Sequence, residues 1–163
     1  MATSADQGMI SDDSELGELY RDIILDYYRQ PRNRGRLPEA SVSRDGHNPL
    51  CGDEVTVDLD IDGKVITDVK FDGHGCSISL SSASMMTDAI KGKTLAEAEK
   101  LFGTFTNVMK GTEEAETERL GDLEALTGVR KFPVRVKCAT LAWHTLSEGI
   151  RAFLSKKAAD SAP

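Results

Sequence analysis

Only three cysteines, Cys51, Cys76 and Cys138, occur in this 163-residue chain, and no two of them form a Cys-X-X-Cys pair. An odd count leaves at least one thiol outside any disulfide scheme, so neither a stapled secreted domain nor a thioredoxin-type motif fits. A reducing, cytoplasmic setting is expected. No apolar run approaches the ~18 residues that a membrane span needs. The opening MATSADQGMISDDSE lacks both a basic region and an apolar one, so no secretory signal is expected there. Positive charge is also in deficit: 20 Lys and Arg against 27 Asp and Glu leave a net charge of -7. That balance argues against a nucleic-acid or anionic-membrane partner and leaves proteins or small molecules. The length suits one domain, expected over 14–155, with frayed tails at 1–13 and 156–163.

Apolar residues at Leu16, Leu19, Tyr20, Ile23, Ile24, Tyr27 and Tyr28 follow the i, i+3, i+4, i+7 spacing of an amphipathic helix, capped near Asp13 or Ser14 and stopped by Pro31. A basic loop follows, and 40–44 has the makings of a short strand. From Glu54 the pattern alternates through Val55, Val57, Leu59 and Ile61, and after Asp62-Gly63 again through Val65, Thr67, Val69 and Phe71. This is a β-hairpin. A three-residue loop with a left-handed Gly63 pairs Val55 with Val69 and Val57 with Thr67, the register that keeps apolar residues on one face.

Extending that ladder brings Cys51 level with position 73, so Cys76 lies close by at the same sheet end. Asp53 shares a face with Cys51, since i and i+2 on a strand do. Gly73-His74-Gly75-Cys76 turns the chain into a helix over 77–91. Cys76 thus stands at a helix N-terminus, where free N–H groups and the dipole favour a thiolate. Thr94-Leu95-Ala96-Glu97 is a capping box for the next helix. An acidic run at 112–118 reads as a solvated face, followed by a short helical piece at 123–126. Pro133 makes 131–137 an extended lead-in. Cys138 then opens the buried stripe of a last helix with Leu141, Ala142, Thr145, Leu146, Gly149, Ile150 and Phe153.

A lone cysteine is most often a small buried hydrophobe. Three that converge on one sheet end beside a carboxylate make a Cys₃Asp set suited to tetrahedral zinc, and equally to an iron–sulfur cluster. His74 is the other candidate for the fourth ligand. His144 lies six residues beyond Cys138, about 240° around a helix, which argues against a Cys-His nucleophile pair. His47 belongs to a loop.

The motifs Asn48-Pro49-Leu50-Cys51-Gly52-Asp53, Gly75-Cys76-Ser77-Ile78-Ser79, Ser84-Met85-Met86-Thr87, Leu120-Gly121-Asp122-Leu123-Glu124-Ala125-Leu126 and Lys131 through Leu141 resemble those of the IscU/NifU iron–sulfur assembly family, in its SufU-type branch. The resemblance covers about 19–153. It implies an α+β fold with a small, mostly antiparallel three-stranded sheet packed against helices. It also implies zinc held by Cys51, Asp53, Cys76 and Cys138, with a transient iron–sulfur cluster as the other cofactor. The implied activity is that of a sulfurtransferase: Cys51, the catalytic residue, accepts persulfide sulfur from a pyridoxal-phosphate cysteine desulfurase and passes it toward downstream iron–sulfur assembly proteins. Where the IscU branch has a histidine before the last cysteine, this chain has Lys137. Its 132–137 segment replaces the chaperone-recognition motif, and 111–130 resembles the SufU-type insertion. These departures favour a sulfur carrier over two alternatives, a cluster scaffold using the same cysteines and a structural zinc module.

Overall fold

A computed structural model describes residues 4–112 and 120–161. Helix α1 (Ser4–Arg29) leads into strands β1 (Val42–Asn48), β2 (Asp53–Asp62) and β3 (Val65–His74). Helices α2 (Ser77–Ile90) and α3 (Leu95–Lys110) follow, then a 3₁₀ segment (Gly121–Lys131) and helix α4 (Pro133–Ser161). The strands form one antiparallel sheet in the order β1-β2-β3, as expected. Helix α4 packs on β1 and β2, α2 on β3 and α4, and α1 on α2 and the 3₁₀ segment. Among the described residues no helix is long and apolar enough to cross a membrane.

The hairpin register differs from the expected one. Val57 faces Phe71 and Leu59 faces Val69, while beyond a bulge after Asp60 the strands close through Asp62 and Val65. A two-residue turn at Gly63-Lys64 with one extra residue in β3 does what the three-residue loop was expected to do: it keeps Val55, Val57, Leu59, Val69 and Phe71 on the buried face. Glu54 pairs with His74, so Cys51 lies off the ladder, in the four-residue turn between β1 and β2. The strand expected at 40–44 extends to Asn48, because its partner β2 continues to Asp53.

Pro133 does not hold 131–137 extended. It opens α4, a position where the missing N–H costs no helical bond and the fixed φ already suits the helix. Only Phe132 is extended, and its carbonyl accepts from Arg135 and Val136 N–H. Cys138 consequently sits in the second turn of α4. Both terminal helices also continue into 4–13 and 156–161, stretches expected to fray: neither holds a proline, and alanine and lysine at 156–159 favour helix. Residues 1–3 and 162–163, and 113–118 of the acidic run, lie outside the described residues. Among the described side chains of the α1 stripe, Ile23, Ile24 and Tyr27 meet the core, while Leu19 and Tyr28 are exposed.

Helix α2 is buried along most of its length, and its small polar residues allow close approach. Ser82 Oγ donates to the Ala139 carbonyl and accepts from Trp143 Nε1, while Ser84 Oγ accepts the Arg32 amide. Trp143 stacks on Phe105 with ring centroids 4.8 Å apart. On the sheet's other face the basic loop is strapped down by Asp58, which is only 1% exposed and accepts from Arg36 Nε, the Ser43 hydroxyl and the Leu37 amide.

Candidate metal centre

Four elements end at the same place. The β1–β2 turn carries Cys51, and Asp53 begins β2. Cys76 is the N-cap of α2, and Cys138 lies in α4. The turn is held by Asn48, whose carbonyl accepts from Cys51 N–H (3.3 Å) and Gly52 N–H (2.8 Å) and whose Oδ1 accepts from Leu50 N–H (3.2 Å). Gly52 takes the left-handed φ of 73° that closes it. Cys51 is exposed at the tip, whereas Cys138 beneath it is fully buried.

Ligand atoms of Cys51, Asp53 and Cys138 lie within 4.8 Å of one another. The Cys51 and Cys138 sulfurs are 3.3 Å apart. Cys76 is not part of that mutually close trio; it joins through Asp53, its Sγ standing 3.8 Å from Oδ2 while its N–H donates to Oδ1 at 3.0 Å. Two sulfurs each about 2.3 Å from a tetrahedral zinc stand roughly 3.8 Å apart, so the observed spacings are of the scale zinc requires. The donor set, three thiols and a carboxylate, fits such an ion chemically.

The electrostatics lead the same way. Burial, then the neighbouring Cys51, Asp53 and Cys76, push the Cys138 thiol well above its ordinary range. Cys138 is thereby held as the neutral thiol unless a cation stands beside it. Partial compensation is built in. Cys76 Sγ accepts the Ser79 amide at 3.4 Å as the N-cap of α2, and Asn48 Nδ2 lies 3.9 Å from Cys138 Sγ. The exposed Arg135 guanidinium is raised above its usual range by the charge of Cys76 first and then of Cys138.

The approach of Asp53 to Cys76 depends on Gly75. A Cβ at position 75 would stand 2.5 Å from Asp53 Oδ1 and 2.9 Å from its Cγ. Sequence reasoning passed over Gly75, Asn48 and Arg135 as functional residues, although all three stand within the motifs that carry the cysteines. None of the histidines joins the cluster. His74 Nε2 and His47 Nδ1 pair with Glu54 at 3.1 and 3.5 Å, and Glu54 alternates to the other side of β2 from Asp53. His144 makes an edge contact with Phe102.

The family model of the NifU-like N-terminal domain matches residues 19–160. The zinc-dependent sulfurtransferase SufU of Bacillus subtilis is 48% identical over 86% of this chain and 95% of its own length. The iron–sulfur cluster assembly scaffold protein IscU of Streptococcus pyogenes is 41% identical over 85% of this chain and 86% of its own. A crystal structure of a SUF-system iron–sulfur assembly scaffold from Fervidobacterium islandicum superposes with a TM-score of 0.75 at 39% identity, covering 78% of this chain and 93% of that one.

Proposed function

The chain belongs to the family of the NifU-like N-terminal domain, and from that premise we propose that it is a zinc-dependent sulfur acceptor in iron–sulfur cluster biogenesis. It takes persulfide sulfur from a pyridoxal-phosphate cysteine desulfurase, in a reducing cytosol where its thiols stay free. The supporting observation is the asymmetry of the cluster: one thiol, Cys51, is exposed on a turn, above a buried sulfur and a buried carboxylate. Cys51, Asp53, Cys76 and Cys138 would hold the zinc, which supplies a deprotonated, oxidation-protected thiolate when bound.

In the transfer, the Cys51 thiolate attacks the outer sulfur of the partner's cysteine persulfide. A new S–S bond forms on Cys51, the partner's S–S bond breaks, and its electron pair leaves with the partner's thiolate, so no external oxidant is needed. The neighbouring side chains serve this exchange. Asn48 keeps the turn presented, Arg135 places positive charge where anionic sulfur collects, and Asp53 stays anchored on the Cys76 amide. Leu50, next to Cys51, and Val134, whose carbonyl lies 3.7 Å from Cys138 Sγ, are 64% and 55% exposed and offer apolar contact to a docking partner.

The scaffold reading uses the same four ligands and draws on the similarity to IscU-type proteins. Metal and labile sulfide content of protein purified without oxygen from iron- and zinc-replete cells separates the two. About one zinc per chain with no sulfide is expected; stoichiometric iron and sulfide would favour the scaffold. Desulfurase turnover tests the role of the exposed thiol. Cys51→Ser is expected to abolish the stimulation that the wild-type chain gives, and undiminished stimulation would refute the assignment.

A further inference from the structure

Behind the cysteine cluster, on another face of α4, lies a groove of about 450 Å³. Its apolar surface comes mainly from Pro133 and Val136 over the buried Met109, and Lys110, Arg130 and Lys137 stand around it. Among the described residues no aspartate or glutamate lines it, in a chain whose net charge is -7. None of the three cations makes an ion pair with a carboxylate among the described residues. Arg130 is steadied by its own chain, Nη1 donating to the Val108 carbonyl at 3.4 Å. Across Lys137 a neighbouring cavity does hold two carboxylates, Asp45 and Glu148. Asp45 accepts the Thr56 hydroxyl at 2.7 Å and Glu148 faces Arg44 Nε at 3.3 Å, and neither stands within ion-pair distance of Lys137.

The two faces of α4 are separate. Pro133, Val136, Lys137 and Thr140 follow i, i+3, i+4, i+7 spacing, whereas Cys138 lies about 100–200° around the helix from each of them. An occupant of the groove therefore leaves the cysteines open to a second partner. We propose that this groove docks an acidic segment of a protein partner, with one apolar side chain against Met109, Pro133 and Val136 and flanking carboxylates on Lys110, Arg130 and Lys137. Charge complementarity selects the sign of the partner, and the apolar floor selects a peptide, since a compact anion would meet the cations and leave that floor in water. The proposal rests on the groove alone and stands or falls independently of the sulfur-acceptor reading.

The test uses the full-length, metal-loaded chain and a capped pentapeptide of four glutamates around a central leucine, followed by backbone amide shifts. Shifts centred on Lys110, Arg130, Val136 and Lys137 are expected. The pair Lys110→Glu with Lys137→Glu should weaken binding at least tenfold, and the wild-type affinity should fall steeply as salt rises. Lys110→Gln with Lys137→Gln is the milder version if charge reversal disturbs the free spectrum. An alanine in place of the peptide's leucine should weaken binding as well. Alkylation of Cys51 should proceed at the same rate with peptide bound. No binding at millimolar peptide, shifts centred elsewhere, or equal affinity for the lysine variants would overturn the proposal. Full displacement by an equal concentration of inorganic phosphate would overturn it in favour of a small-anion site.

Discussion

Asn48 serves the cysteine cluster through every polar group it has except its own amide: a carbonyl holding the Cys51 turn, a side-chain oxygen on Leu50 N–H, and a side-chain nitrogen toward Cys138. Partners that orient metal ligands typically matter 10–100-fold in affinity. Asn48→Ala is therefore expected to weaken zinc binding about 10–100-fold in chelator competition while the far-ultraviolet circular dichroism stays native. Gly75→Ala should do the same by another route, since its Cβ would displace the Asp53 carboxylate. Unchanged zinc affinity in either variant would contradict the geometry described. The four ligand candidates were legible at this scale because cysteine is rare here and the hairpin delivers two cysteines and Asp53 to one end. Their helpers were not. An asparagine or a glycine in a turn is ordinary in sequence, and only the three-dimensional approach of Asp53 to the Cys76 amide gives Gly75 its purpose.

Among the elements, the loop over the outer face of the sheet depends on one carboxylate. Burial alone would raise Asp58, but the bonds from Arg36, Ser43 and the Leu37 amide outweigh it and hold its carboxyl below the ordinary range. A lowered folded value means stability that is complete above the unfolded pKa, about 3.9, and lost as pH falls through the folded one. Wild-type denaturation midpoints should accordingly drop below about pH 4, and Asp58→Asn should flatten that part of the profile. Asp58→Ala, which strands the Leu37 amide and Ser43 hydroxyl, is expected to cost about 1–3 kcal/mol in urea unfolding at pH 7. Periodicity made most helices and the hairpin readable before the structure. It misjudged the details that cost little energy either way. A bulge restores the inside–outside alternation as well as a longer loop does, and a proline is as good at the first position of a helix as it is bad further in.

At the scale of the whole molecule, the cluster joins the β1–β2 turn, the start of β2, the cap of α2 and the second turn of α4, so a bound ion ties together elements far apart in sequence. Free zinc at a thousandfold above its Kd would stabilise the fold by about 4 kcal/mol. At roughly 2–4 °C per kcal/mol for a chain of this size, a strong chelator should lower the melting temperature by about 8–16 °C. A shift within error would mean that the site contributes nothing to the fold. The overall architecture was legible through family motifs spanning most of the chain. The cationic groove was not, because Lys110, Arg130 and Lys137 come from α3, the 3₁₀ segment and α4 and meet only in the folded molecule. What matters most for the function is the claim that the exposed thiol of this cluster receives sulfur. Its most direct test is to incubate the zinc-loaded chain with a cysteine desulfurase and isotopically labelled cysteine, trap thiols by alkylation, and map the label by peptide mass spectrometry. One labelled sulfur on the Cys51 peptide is the expected result; label on Cys76 or Cys138 instead, or on none of the three, would contradict it.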